Sequence, residues 1–221
     1  MDFDYKDKKE SGHLQSALEI PRFSLQEAVR FRYFSDLMDL ISDLEGDIVE
    51  CGVGWGRSFL YLCLLARIEN QGRCVWGFDS FEGFPEPGEE DGSPRKPQKG
   101  EWKTDLVAVY QLLKSSGLDD VITSSQITLV KGFFEESLPK YTGEKIALLH
   151  ADADLYQSYK LIYEHLFDKV VPGGIILFDE YMNTFEHLKW PGAKTAIDET
   201  FLSQAELKRH PHSGKYYAVK K

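Results

Sequence analysis

Glu50-Cys51-Gly52-Val53-Gly54-Trp55-Gly56-Arg57-Ser58 is the stretch on which the fold turns. Ahead of it, Asp47–Cys51 is a short apolar run with the make-up of a strand. Behind it, Arg57–Glu69 is apolar on nearly every side, as a helix wedged against a sheet would be. A strand that empties through alternate glycines into a helix makes a turn where a ligand can meet the backbone, because any Cβ would collide with it. The bland alternative is a glycine turn that only lets helix and strand pack.

Working outward, the same alternation repeats. Strand-like runs fall at Cys74–Phe78, Gln126–Lys131, Ile146–His150 and Gly174–Phe178. Helical segments are expected over Thr104–Ser115, ended by Gly117, and along the stripe Leu155, Tyr159, Ile162, Tyr163, Leu166, Phe167 and Val170, ended by Pro172-Gly173-Gly174. Tyr156, Tyr159 and Tyr163 share that spacing and read as core. Strands alternating with helices predict an α/β fold, a doubly wound and mostly parallel sheet covered on both faces. Before it, a capping box at Ser24-Leu25-Gln26-Glu27 starts a helical lead-in that runs to Leu44. Residues 1–22 read as a charged mobile tail and 23–221 as one domain. Phe84–Lys103 is rich in Pro, Gly and charge and long for a connection, so it is expected to be a lid or binding loop. Leu207–His210 and Tyr216–Lys220 flank Ser213-Gly214 as a hairpin.

Composition removes several classes. Lys and Arg number 26 against 36 Asp and Glu, a net charge of −10, which argues against a nucleic-acid backbone reader. No apolar run approaches the roughly 20 residues of a membrane span, and the N-terminus lacks a signal core. Three cysteines, Cys51, Cys63 and Cys74, fit neither a zinc pattern nor a closed disulfide framework. A soluble protein of the reducing cytoplasm, with no nucleic-acid or membrane partner, is the expectation.

Two groups of residues carry chemistry. In the glycine turn the third glycine of a dinucleotide fingerprint would fall on Arg57, which weakens an NAD reading. Glu50 would repel a pyrophosphate and suit an ammonium or sulfonium; S-adenosylmethionine carries both. Gly52, Gly54 and Ser58 complete that candidate site. Asp79, ending the second strand, is placed to accept the two ribose hydroxyls of a nucleoside, or else to cap a turn. At the far strands, Asp152 ends the fourth and Asp179-Glu180 the fifth. In a doubly wound sheet these tips share the carboxyl edge. Crowded carboxylates with no His or Cys cluster favour Mg²⁺, Mn²⁺ or Ca²⁺, and such an ion can lower the pKa of a substrate hydroxyl for a carboxylate base. Asp152, Asp179 and Glu180 are the expected metal ligands, with Asp152 the base. Asp154 is read as a cap for the helix after Leu155. His150 is read as a strand histidine with a satisfied hydrogen bond. Trp55 and Trp102 stand beside the turn and the loop, and their functional reading is stacking on adenine or substrate.

The order Val49-Glu50-Cys51-Gly52-Val53, Phe78-Asp79-Ser80-Phe81-Glu82-Gly83-Phe84-Pro85, Gly132 with Ser137-Leu138-Pro139, Asp152-Ala153-Asp154-Leu155-Tyr156-Gln157-Ser158, and Pro172-Gly173-Gly174 before Asp179-Glu180-Tyr181 resembles the macrocin O-methyltransferase family. The likeness runs from about Asp47 to Phe201. It implies a class I adenosylmethionine-dependent fold with seven strands in the order 3-2-1-4-5-7-6, the last antiparallel. It implies Mg²⁺ held by Asp152, Asp179 and Glu180 beside a sugar hydroxyl. Ser80 and Phe81 would surround the adenosyl group, and Gly132 and Phe133 would flank adenine. The acceptor implied is a sugar or glycoside, and a homo-oligomer is compatible with the family. Where the family often has Asp-Gly-Asp and Asp-Asp-Tyr, this chain has Asp152-Ala153-Asp154 and Asp179-Glu180-Tyr181. The rival readings are a catechol-type metal-dependent O-methyltransferase and an NAD-linked or non-catalytic nucleoside binder.

Overall fold

The chain is described by a computed structural model covering residues 24–182 and 185–221. The tail reading for residues 1–22 lies outside the described residues. Helix α1, Leu25–Leu40, starts at the expected capping box, in which Ser24 and Glu27 satisfy each other's backbone amides. It stops short of Leu44, since Ile41 already leaves helical geometry. The chain then enters β1 (Asp47–Cys51), α2 (Arg57–Glu69) and β2 (Val75–Asp79). After the long loop come α3 (Leu106–Ser115), a short α4 (Asp119–Thr123), β3 (Ile127–Lys131) and a one-turn α5 (Phe134–Ser137). The second half holds β4 (Ile146–Ala151), α6 (Tyr156–Leu166), β5 (Val170–Phe178), α7 (Glu186–Lys189), α8 (Pro191–Glu199), β6 (Ala205–Arg209) and β7 (Tyr216–Lys220).

The seven strands order as β3-β2-β1-β4-β5-β7-β6. The pairs among β1 to β5 are parallel, and β7 joins β5 and β6 antiparallel. The strand order expected from the family resemblance is therefore observed. One boundary differs: β5 begins at Val170, ahead of Pro172-Gly173-Gly174, which were read as the end of the preceding helix. Val170 pairs with Ile146, and a register break before Leu148 absorbs the proline and glycines at the strand's start.

Alternation along β1 splits the core into two layers. Val49 and Cys51 face the layer built by α6 and α8, with Tyr159, Ile162, Ala193 and Ile197. Ile48 faces the layer built by α1, α2 and α3, with Phe34, Leu37, Phe59 and Leu113. The central strands are buried on both sides, so their near-continuous apolar runs follow from parallel pairing.

Register fixes what happens at the carboxyl edge. Cys51 lies opposite Phe78 on one side and Ala151 on the other, and Ala151 lies opposite Phe178. The next residues along each strand, Asp79, Gly52, Asp152 and Asp179, thus emerge side by side. Backbone bonds carry the ladder one step past the strands, from Gly52 N to Phe78 O (2.8 Å), Asp152 N to Cys51 O (2.9 Å) and Asp179 N to Ala151 O (3.1 Å).

Candidate active site

A cavity of about 700 Å³ opens over this edge. Gly52, Gly54, Ser58, Asp79, Ser80 and Phe133 line one part of it. Gly52 sits at φ +94°, and a side chain there would overlap the Asp152 carbonyl oxygen, so the approach of β1 to β4 itself demands glycine. The Asp79 carboxylate accepts from Gly54 N (2.8 Å) and Phe81 N (2.6 Å), which ties the two turns together while the side chain still borders the cavity. Burial raises its pKa, and those backbone amides oppose the rise. A carboxylate offers about four acceptor directions, so two remain for ribose hydroxyls. The Ser80 hydroxyl donates to Gly83 O and accepts from Glu82 N, so it shapes the turn as well as bordering the cavity.

Three expected cofactor residues lie differently. Phe81 has a left-handed backbone (φ +54°) and its ring is buried in the α1–α2 layer, away from the cavity lining. Gly132 contributes a backbone bond to Asp79 O (3.0 Å) and leaves the lining to Phe133. Glu50 points into the protein and is 0% exposed. The reason is the period of two: Glu50 shares the Ile48 face of β1, under α1, and its Cα partner is His150. Glu50 Oε1 lies 2.7 Å from His150 Nδ1, and Phe34 stacks edge-on against that ring. Glu50 Oε2 is buried with no hydrogen bond from the described residues. Burial drives both members toward neutrality, raising Glu50 well above the carboxylate range and lowering His150 to about 4. His150 is thus the satisfied strand histidine that the sequence suggested.

The acids form two groups that share Asp152. One ligand atom each from Asp152, Asp154 and Glu180 lies within 4.8 Å of the others; so do those from His150, Asp152 and Asp179. The expected trio of Asp152, Asp179 and Glu180 is not a single group of that kind. Glu180, 2% exposed, accepts a hydrogen bond from the Tyr159 hydroxyl. Asp179 is bonded by the Lys215 ammonium. Burial, then the neighbouring carboxylates, pushes Asp154 and Glu180 well above their ordinary range. Such a set fits a hard divalent cation, which would relieve the repulsion with oxygen ligands.

The profile of the Macrocin-O-methyltransferase (TylF) family matches residues 6–205. The chain belongs to that family. Among curated relatives, 8-demethyl-8-(2,3-dimethoxy-alpha-L-rhamnosyl)-tetracenomycin-C 4'-O-methyltransferase of Streptomyces olivaceus is 28% identical over 144 residues, covering 64% of this chain and 55% of that protein. Demethyldecarbamoylnovobiocin O-methyltransferase of Streptomyces niveus is 28% identical over 160 residues, covering 72% and 59%. The chain thus spans under two thirds of the length of these relatives. Among solved structures, the calicheamicin methyltransferase CalS11 superposes with a TM-score of 0.79 at 24% identity, over 90% of this chain and 80% of that one, a likeness of fold.

In this macrocin O-methyltransferase family member the Phe84–Lys103 loop is fastened rather than loose. Backbone bonds join Phe84 to Glu101 and Gly100, Arg95 pairs with Glu101 (2.5 Å), and the Arg95 guanidinium lies 4.5 Å from the Trp190 ring. Phe84, Arg95, Trp102 and Trp190 border the cavity, as does Trp55. Asp154 does not cap α6. Asp91, from the loop, accepts from Tyr156 N (2.8 Å) and Gly88 N (2.9 Å) and takes that role. Arg95, Asp91, Asp154 as a rim carboxylate, and Lys215 are the site residues that sequence reasoning missed. For the first two, the signal was the density of charge within a Pro/Gly-rich loop. For Lys215, no local pattern pointed at the rim.

Proposed function

We propose that the chain is an S-adenosylmethionine-dependent O-methyltransferase that acts on a hydroxyl of a sugar or glycoside, assisted by a divalent cation. The observation that carries this reading is the row of strand tips: a glycine turn, the strand-end acid Asp79 and a carboxylate group side by side on one cavity. The printed names of the relatives, one of them acting on a rhamnosyl-bearing metabolite, support the acceptor class. Among the described residues no helix is long and apolar enough to cross a membrane.

When bound, the cofactor supplies a methyl group on a sulfonium, and the cation supplies a field that makes the acceptor hydroxyl more acidic. The chain does the rest. Gly52, Gly54 and Ser58 admit the methionine end to the backbone. Asp79 holds the ribose, Ser80 shapes the adenosyl side, and Phe133 covers adenine. Glu50 acts from beneath, holding His150 and through it the β1–β4 edge. Asp152, common to both acid groups, takes the proton from the acceptor oxygen. The loop around Phe84 and Arg95, with Trp190, walls the acceptor from water. In-line transfer needs little covalent help from protein, and positioning alone can supply roughly 7–11 kcal/mol.

Turnover of adenosylmethionine with a panel of glycosides and catechols tests the assignment. Methylation of a glycoside, abolished by chelator while adenosylhomocysteine binding persists, is the expected result. Turnover of catechols alone, or a calorimetric preference for NADH over adenosylhomocysteine, would overturn it.

A further inference from the structure

We infer that Arg95 is an acceptor-positioning residue, whose guanidinium donates to a neutral hydroxyl of the acceptor other than the one that is methylated. The inference rests on the sugar O-methyltransferase reading above and is independent of the cation. Ser93-Pro94-Arg95-Lys96 closes as a turn, with Pro94 at its second position, Lys96 N donating to Ser93 O (3.0 Å) and Lys96 left-handed at φ +54°. The turn brings Arg95 to the cavity wall, where it is the one cation that the Phe84–Lys103 loop contributes to the lining. There the guanidinium is held on two sides. It lies 4.5 Å from the centre of the Trp190 ring, and Phe84 braces that ring edge-on at 5.7 Å. Its Nη1 donates to Glu101 Oε2 (2.5 Å).

A guanidinium carries its N–H donors in a planar fork, more of them than one carboxylate oxygen can use. Among the described residues Glu101 is the only hydrogen-bond partner of Arg95, and the side chain is just 23% exposed. Donors left unbonded against a cavity call for an oxygen from the ligand. Two facts fix its kind. Glu101 already offsets the Arg95 charge, and Asp154 and Glu186 on the same lining repel an anion, so a neutral hydroxyl fits better than a phosphate or carboxylate. The place is close to the reacting group. Burial and then Asp152 raise the Asp154 carboxyl while Arg95 acts against them, so the guanidinium lies within electrostatic reach of the strand tips. The Trp190 stack sets the plane of the fork, which a lysine would not keep. A donor fixed in this way selects acceptors by where their other hydroxyls stand.

Steady-state kinetics test the assignment, on a glycoside that the acceptor panel shows to be methylated and on its analogues each lacking one other hydroxyl. Arg95→Met keeps the stem and removes the donors. It should lower kcat/KM for the acceptor about 10- to 150-fold, as loss of a hydrogen bond to a charged group does. Glu101→Gln breaks the loop ion pair but leaves the donors, and should lower it less than about threefold. On one deoxy analogue, parent and Arg95→Met should converge to within about threefold, because the partner oxygen is already gone. Adenosylhomocysteine affinity, measured by calorimetry, should stay at the parent value in both variants. If Arg95→Met loses that affinity, Arg95→Gln is read in its place, and loss in both overturns the assignment. Full kcat/KM in Arg95→Met, equal damage from Glu101→Gln, or a loss that persists on every deoxy analogue makes Arg95 a loop clasp and overturns it too, while the methyltransferase reading stands. A parent protein that methylates no glycoside overturns both.

Discussion

Gly52 leaves β1 with positive φ and with the Asp152 carbonyl where a side chain would begin. Gly52→Ala should therefore lose stability on two counts, the backbone alone costing about 1–2 kcal/mol and the overlap adding to it. Urea denaturation checks this, and an unchanged midpoint would contradict the close approach. Asp79 is held by two backbone amides yet borders the cavity. Asp79→Asn should weaken adenosylhomocysteine binding roughly 10- to 150-fold, the worth of a hydrogen bond to a charged group. Calorimetry reads that loss directly. Both positions were legible in the sequence because each is a strand end followed at once by its turn, a local signature. Glu50 lies deeper than the sequence suggested, for a local reason as well. Adjacency to glycines suggested a ligand contact, but the pleat turns its side chain under α1 toward His150. Asp154 was misread because nothing within a few residues reveals that Asp91 already caps the next helix.

The element that shows how loop and helix depend on each other is α6. Its first amide donates to Asp91, 65 residues earlier in the chain. Asp91→Ala should cost about 1 kcal/mol, as loss of a helix cap does, and should also loosen the Phe84–Lys103 loop. Two readouts separate the effects: the denaturation midpoint, and trypsin cleavage after Arg95 and Lys99. Faster cleavage with a lowered midpoint is expected. A lowered midpoint with unchanged cleavage would mean that the loop is held by Arg95, Glu101 and Trp190 alone. Proline, glycine and length exposed this loop in the sequence as something other than a plain connection. Its fastening was hidden, because every clasp joins residues far apart in the chain.

At the scale of the whole molecule, the sheet order could be read through the motif likeness, and the strand–helix alternation gave its parallel part independently. The convergence of acids on one edge followed from that order. How they pair did not, because the Lys215 contact with Asp179 arises only from the antiparallel insertion of β7 beside β5. The same crowding has a thermodynamic signature. Burial first, then Asp154 and Asp152, raises the Glu180 carboxyl well above its usual range. A group raised in the fold contributes its full stability below its ordinary pKa and loses it as pH climbs through the folded value. A divalent ion offsets that loss only where the carboxylates have given up their protons. Mg²⁺ should thus raise the melting temperature clearly at about pH 8 and little at about pH 5, with stabilisation of about 2.7 kcal/mol at a hundredfold excess over its dissociation constant. Scanning calorimetry at both values is the check. An equal shift at the two would argue for binding away from these acids.

The Asp91 clasp also bears on attempts to alter acceptor choice by exchanging the Phe84–Lys103 segment for another. Gly192, on α8, has no side chain where the Asp91 carboxylate lies, so helix, loop and glycine interlock. A transplanted segment lacking an acid at position 91 would strip α6 of its cap. A larger residue at position 192 would push the acid off it. Chimeras that carry the two positions together should express as folded enzymes more often than those that graft the loop by its ends.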